Sequence, residues 1–229
     1  TLERTEGTVV YNPRFLGLQN FWLRTSNSEL KSDNTAINYQ FSGGDLANMI
    51  ARLQLDGYLG LKDVALVAPD MTSIPVIGSN LGQQLKFSLR ATGTMAAMEL
   101  SRVQLNGPGI KIRATGRVEN ALNVEGLAGR LNLTEFSVTP GPLLPLVPKG
   151  MLPPDIDWPT KIVAEGTADY RNNRLEMNLY AIENRQFGNG LMSRVKTSGL
   201  INGVTTFPET SLNVELDTLL ATKATILAY

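Results

Sequence analysis

Residues 97 to 107 read AMELSRVQLNG, with large apolar side chains at Met98, Leu100, Val103 and Leu105 and only polar residues between them. Steps of two keep side chains on one face of a β-strand. The step of three breaks that rule. The row returns to its face only if one extra residue is taken up as a β-bulge, which bends the strand. The same two-three-two spacing recurs at Leu16, Leu18, Phe21 and Leu23, at Leu59, Leu61, Val64 and Leu66, and at Leu131, Leu133, Phe136 and Val138. Met177, Leu179 and Ile182 form a partial copy. These starts lie about forty residues apart, a period that marks repeat architectures. A sheet bent at one place in every repeat curls, with its apolar face inside. The expected fold is all-β: an elongated, open, curled sheet.

Plain alternation fills most of the remaining chain. Leu53 and Leu55 flank Gln54, and Leu85, Phe87 and Leu89 alternate with Lys86, Ser88 and Arg90. Ile110 and Ile112 flank Lys111, while Ile37, Tyr39 and Phe41 alternate with Asn38 and Gln40. Leu175, Met177 and Leu179 alternate with Glu176 and Asn178, and Leu212, Val214 and Leu216 with Asn213 and Glu215. Gly43-Gly44, Gly93, Gly107, Gly116, Gly126, Asn172-Asn173, Gly199 and Gly203 read as turns between strands. Helical signal is slight. Asp45 is placed to cap a short turn through LANMIARL, and DTLLATKATILAY at the C-terminus fits helix or strand. Residues 139 to 159, TPGPLLPLVPKGMLPPDIDWP, are too rich in proline for a central strand. The expected organisation is strand repeats over 1–138, a Pro-rich loop or crossover over 139–159, and further repeats over 160–229.

Two missing residue types narrow the chemistry. With no Cys there is no disulfide, thiolate nucleophile or zinc–thiolate site. With no His there is no histidine base and no serine triad. Lys plus Arg and Asp plus Glu balance at 21 each, which argues against a nucleic-acid partner. No run approaches the eighteen or so apolar residues of a membrane-spanning helix. The chain starts at Thr1 with no signal-like segment, as expected of an internal fragment or a processed chain.

The remaining candidate sites are weak. Ser28 and Lys31 match an SxxK spacing, but between turn residues and a strand rather than on the helix that chemistry needs. Asp155 and Asp157 are a possible cation pair that reads better as solvated turn caps. Gly107-Pro108-Gly109 is a turn with no helix after it to cradle phosphate. Trp22 and Trp158 are isolated and form no stacking platform. The expectation is a non-enzymatic chain without metal or cofactor.

That leaves the apolar faces. One reading is a closed β-sandwich, serving as an envelope interaction or adhesion module, whose inner faces pack on each other. Against it stand an aromatic content of only 7% and the repeated slip, which suits an open, curling sheet.

LGLKDVALVAPDM, residues 59 to 71, resembles a block of TamB-like proteins from Bacteroidota, within the AsmA-like superfamily. FWLRTSNSELKSDNTAINYQF before it, LKFSLRATGTMAAMELSRVQLNGPGIKIRATGRVENALNVEGLAGRLNL after it, and the closing FPETSLNVELDTLLAT are similar to that family in order and rhythm. The Pro-rich segment is longer than the family pattern. The resemblance implies a β-taco groove within a periplasmic, inner-membrane-anchored envelope protein. It implies a segment of a conduit carrying phospholipid toward the outer membrane and supporting outer-membrane protein assembly. Regions outside this chain would engage a β-barrel insertase of the BamA/TamA type. Acyl chains would lie on Leu53, Leu55, Leu85, Phe87 and Leu89, then on Met98, Leu100, Val103, Leu105, Ile110 and Ile112. The groove would continue over Leu131, Leu133, Leu175, Met177 and Leu179 to Leu212, Val214 and Leu216. A further reading uses free sheet edges as a scaffold for nascent outer-membrane strands.

Overall fold

The alternating segments become strands of ten to twelve residues, since period-two patterning with frequent β-branched residues suits a pleated surface with unlike faces. The computed structural model describes residues 1–39, 46–67, 81–123, 125–143, 160–185, 191–203 and 211–220. The first strands are β1 (Leu2–Asn12), β2 (Phe15–Thr25), β3 (Glu29–Asn38) and β4 (Ile50–Gly60). A helix, α1 (Leu61–Val67), leaves the end of β4. Then come β5 (Gln84–Thr94), β6 (Ala97–Gly107), β7 (Ile110–Glu119) and β8 (Ala128–Val138), followed by a helical turn, α2 (Pro140–Leu143). The last four are β9 (Lys161–Arg171), β10 (Arg174–Arg185), β11 (Leu191–Asn202) and β12 (Ser211–Leu220).

These strands form one antiparallel sheet whose spatial order is the chain order, β1 through β12, and the sheet is not closed. Eleven inter-strand spacings make it about 50 Å across, and the strands run about 35 Å. The elongated open sheet expected from the alternation is present. The closed sandwich is excluded, because it needs a second sheet and one sheet accounts for every described strand.

The slipped spacing is a bulge in three of its copies. In β6, Arg90 pairs with Arg102 and Ala91 with Leu100, leaving Ser101 as the extra residue. In β8, Arg113 pairs with Glu135 and Ala114 with Leu133, leaving Thr134 as the extra residue. In β2 the register against β1 slips between Glu6 and Thr8, where Asn20 takes a positive φ of 48°. Two copies are corrected. After Leu59 the chain turns into α1, where Leu61, Val64 and Ala65 have the spacing of one helix face. The pairing of β10 runs without a shift from Met177 to Ile182, so Ile182 falls out of step with Met177 and Leu179.

The structural period is also longer than forty residues. Long connections follow β4 and β8, and both leave from the same end of the sheet because alternate strands run in opposite directions. The chain thus divides into three runs of four strands, which begin at Leu2, Gln84 and Lys161, about eighty residues apart.

Turn expectations divide in the same way. Asn172 and Asn173, with φ of 52° and 59°, close the β9–β10 hairpin as a two-residue turn of positive φ. Gly109 lies in the β6–β7 turn, just after Gly107 as the last residue of β6, Gly126 lies in the β7–β8 loop, and Gly203 follows β11. Gly93, Gly116 and Gly199 instead lie within β5, β7 and β11. Gly93 shows why: its φ is 138°, and a Cβ there would run into the Ala97 carbonyl across the hairpin. After the Asp45 position, helix is confined to a 3-10 turn at Leu46–Asn48 before β4 takes over, and Asp217 to Leu220 are strand. Gly43-Gly44, Asp45, Phe41, residues 144–159 with Asp155, Asp157 and Trp158, and residues 221–229 lie outside the described residues.

Candidate apolar binding face

Cross-strand pairing decides which side chains share a face, and it brings all the expected groove positions to one face. One row runs Leu53, Ala91, Leu100, Gly116 and Leu131 across β4 to β8. It continues through Ala168, Met177, Gly199 and Val214 across β9 to β12. The next row carries Leu55, Leu89, Val103, Ala114 and Leu133, then Gly166, Leu179 and the Leu216 position. Phe87, Leu105 and Ile112 pair in a third row, with Leu85 and Ile110 beyond them toward the sheet end. On the other side, Met98 lies level with Val118, and Leu175 and the Leu212 position lie level with Ile201. The bulges at Ser101 and Thr134 keep Val103, Leu105 and Phe136 on this face.

Large and small residues alternate strand by strand in the central row, and burial follows size in an unusual way. Within the strand rows the buried residues are mainly small, Ala51, Ala91, Ala114, Ala164 and Ala168, joined by Leu133 and by Met98, which clusters with the buried Met49 and Met95 at one end of the sheet. Leu53, Leu89, Leu100, Val103, Leu131 and Met177 are only half-buried and pack over those alanines. Toward the β12 edge, Val214 is exposed. A two-sheet core would bury the large side chains against an opposing layer. Here they roof their small neighbours within a single layer and keep an outer surface free. The alanines and glycines were not among the expected groove residues. Their signal was the same alternation carried one step further, Leu89-x-Ala91-x-Gly93 and Ile112-x-Ala114-x-Gly116.

The opposite face is charged. Arg90 pairs with Asp56 at 2.6 Å, Lys111 and Arg113 share Glu135 at 2.8 and 3.3 Å, and Arg117 meets Glu99 at 3.0 Å. The Lys111 ammonium, helped by Arg113 and Lys161, holds the Glu135 carboxyl below the usual carboxylate range. A hollow of about 830 Å³ also lies on this side, lined by Arg117, Arg130, Asp169 and Arg171 among others. Its arginines already face carboxylates, with Arg130 to Asp169 at 3.6 Å and Arg171 to Glu119 at 3.8 Å. It is a paired, polar depression, unsuited to apolar ligands.

The chain matches no family model, no curated protein and no solved structure.

The other sequence candidates acquire structural roles. Ser28 precedes β3 and Lys31 lies within it, so the pair is not on a helix. Ser28 donates to Asp63 Oδ2 at 2.7 Å and accepts from the Gly60 amide at 3.0 Å, while Lys31 pairs with Glu29. Trp22 packs beneath Arg4 at 3.8 Å and beside Lys31 at 4.7 Å, joining three strands on the charged side. Ser32 and Thr35 are the polar residues buried on the apolar side. Thr35 accepts the Gln54 amide at 3.0 Å where the β3–β4 pairing is interrupted, replacing a lost ladder bond. Among the described residues no three carboxylates gather into a metal-binding group.

Proposed function

We propose that this chain binds phospholipid acyl chains along its apolar face, as a segment of a lipid-transfer conduit in the cell envelope that also supports outer-membrane protein assembly. The observation that carries this reading is the burial pattern of the rows: alanines are covered while Leu53, Leu89, Leu100 and Leu131 on the same face stay partly exposed. Each acyl CH₂ moved from water onto such a surface gains about 0.8 kcal/mol without any directional partner. Rows of aliphatic side chains repeat that weak attraction strand after strand, so a chain can shift by one row at little cost. Headgroups remain in water at the rim of the sheet. The resemblance to TamB-like proteins adds the periplasmic setting and the insertase partner.

Native mass spectrometry after incubation with phospholipid vesicles tests the binding, and a phospholipid with a photoactivatable acyl chain maps it. Crosslinks are expected on Leu100, Val103 and Leu105 and not on the charged face. Leu100→Asp combined with Leu105→Asp is expected to lower retained lipid at least about tenfold, because a carboxylate in the row removes methylene contacts and attracts water. Both leucines are half-buried, so far-UV circular dichroism should be unchanged. Failure to retain lipid, or crosslinks on the charged face, would contradict the proposal.

A further inference from the structure

The chain is neutral overall, but its strands are not evenly charged. Strands β4 to β8 carry eight basic and four acidic residues, while β1 to β3 and β9 to β12 are balanced to within one charge. The excess stands on the charged face. Arg52, Lys86, Arg90 and Arg102 all alternate with apolar-face residues, and register brings the four together. Arg90 lies opposite Arg102 on one side and Gln54 on the other, Arg52 lies opposite Thr92, and Lys86 opposite Tyr58. The strip they form is about 10 Å wide, from β4 to β6, and about 20 Å long, from the level of Lys86 to that of Thr92. Asp56 and Glu99 border it and are already held by arginines, Asp56 by Arg90 at 2.6 Å and Glu99 by Arg117 at 3.0 Å. Arg52, Lys86 and Arg102 are exposed and have no carboxylate within ion-pair distance among the described residues. Like charges directly opposite each other, as Arg90 and Arg102 are, weaken a strand pair.

We infer that this strip binds an acidic segment of another protein, extended along β5 and presenting carboxylates on alternate residues. An extended chain repeats its side chains on one side about every 6.8 Å, which is also the spacing of charged-face positions along β5. Carboxylates at that spacing meet Lys86, then Arg90 with Arg102, then Arg52. The planar guanidinium fork binds both oxygens of a carboxylate, and a carboxylate between Arg90 and Arg102 removes their repulsion. Gln54, Gln104 and Asn106 stand among the cations and offer bonds to the amides of the segment. A flat anionic bilayer fits this face less well, because it also presses on the exposed carboxylates of Asp169 and Glu176, which lie opposite each other across β9–β10. A single nucleic-acid strand gains much of its hold by stacking bases on aromatic rings, and among the described residues of the strip only Tyr58 is aromatic. The strip lies on the side of the sheet away from the apolar rows, so the two faces can be occupied together.

Fluorescence anisotropy of a labelled peptide of about seven residues, alternating Glu and Ser, tests the inference on the whole chain. The expected dissociation constant is about 10–500 μM at about 50 mM salt, weakening at least about fivefold at about 200 mM. Arg102→Gln combined with Lys86→Gln is expected to lower affinity at least about fivefold with circular dichroism unchanged. Arg174→Gln combined with Lys196→Gln removes the same charge from β10 and β11 and should change affinity less than about twofold. Leu100→Asp combined with Leu105→Asp should still bind the peptide to within about threefold, so loss of lipid and loss of peptide are separate results. No binding at about 1 mM peptide, or equal losses in the two pairs of Gln variants, overturns the inference. Phosphatidylglycerol vesicles or oligothymidylate binding the strip more tightly than the peptide does would make it a phosphate surface and overturn it as well.

Discussion

At the scale of single residues, the alanine floor makes an unusual prediction about size. Ala91 is 1% exposed beneath Leu53 and Leu100, its neighbours in the same row. Ala91→Leu adds apolar volume between two leucines already packed against that site, and overpacking of this kind costs about 1–3 kcal/mol. Leu100→Ala removes a side chain that is only partly buried, so it should cost less than the roughly 2–5 kcal/mol of a fully buried leucine. Ala91→Leu is therefore expected to lower the urea midpoint more than Leu100→Ala, the reverse of an ordinary two-layer core. Gly93→Ala should also destabilise, by about 1–3 kcal/mol, because φ of 138° is nearly closed to other residues and the Ala97 carbonyl occupies the Cβ position. The leucines of these rows were legible in the sequence because alternation of large apolar and polar residues is a strong contrast. Their small partners were not, because Ala and Gly in a strand look like weak positions or turns until the neighbouring strands show what stands over them.

At the scale of elements, a bulge and a helix each answer to a few residues. Deleting Ser101 removes the extra residue of β6, so Val103 and Leu105 must leave the apolar face or the pairing with β5 and β7 must slip. Either outcome should lower the melting temperature by far more than Ser101→Ala, which leaves residue count and register intact. The bulge was readable because a step of three between steps of two has few other solutions in a strand. The same spacing failed at Leu59 to Leu66, since 3-4 spacing also serves a helix and the deciding contact is distant in sequence. That contact is Asp63, which accepts hydrogen bonds from Ser28 at 2.7 Å, Thr25 at 2.5 Å and Asn27 at 3.1 Å. The Ser28 hydroxyl, then that of Thr25, hold the Asp63 carboxyl below its usual range. A depressed carboxylate contributes stability above its unfolded value of about 3.9 and loses it as pH falls through the lower folded value. Docking of α1 on the β2–β3 turn should therefore loosen below about pH 4. Hydrogen exchange of residues 61–67, corrected for intrinsic rates, is expected to quicken there. Asp63→Asn should be looser at neutral pH and lose the acid dependence.

At the scale of the whole molecule, the sequence order of the strands governs how strain spreads. A two-layer domain shares one core, so damage in one strand reaches all the others and unfolding is all-or-none. Here each strand is paired only with its neighbours in the chain, and the apolar face is a single layer, so stability is close to a sum of local strand-to-strand terms. Gly93→Ala makes the distinction measurable. In the variant, amides of β4 to β6 should exchange faster, while those of β9 to β11 keep nearly the parental protection. Uniform loss of protection along the chain would mean that β9 to β11 depend on the β5–β6 pair through contacts other than the ladder, and the single-layer account would fail. The same locality bears on the proposed ligand. A conduit has to hold its shape while acyl chains of varying length come and go. A sheet whose strands are secured pair by pair keeps the unoccupied rows in register, because no row depends on the ligand or on an opposing sheet for its backbone hydrogen bonds. Bound phospholipid should therefore raise protection only over the rows that the acyl chain covers, while the loss caused by Gly93→Ala stays confined to β4 to β6 with and without it.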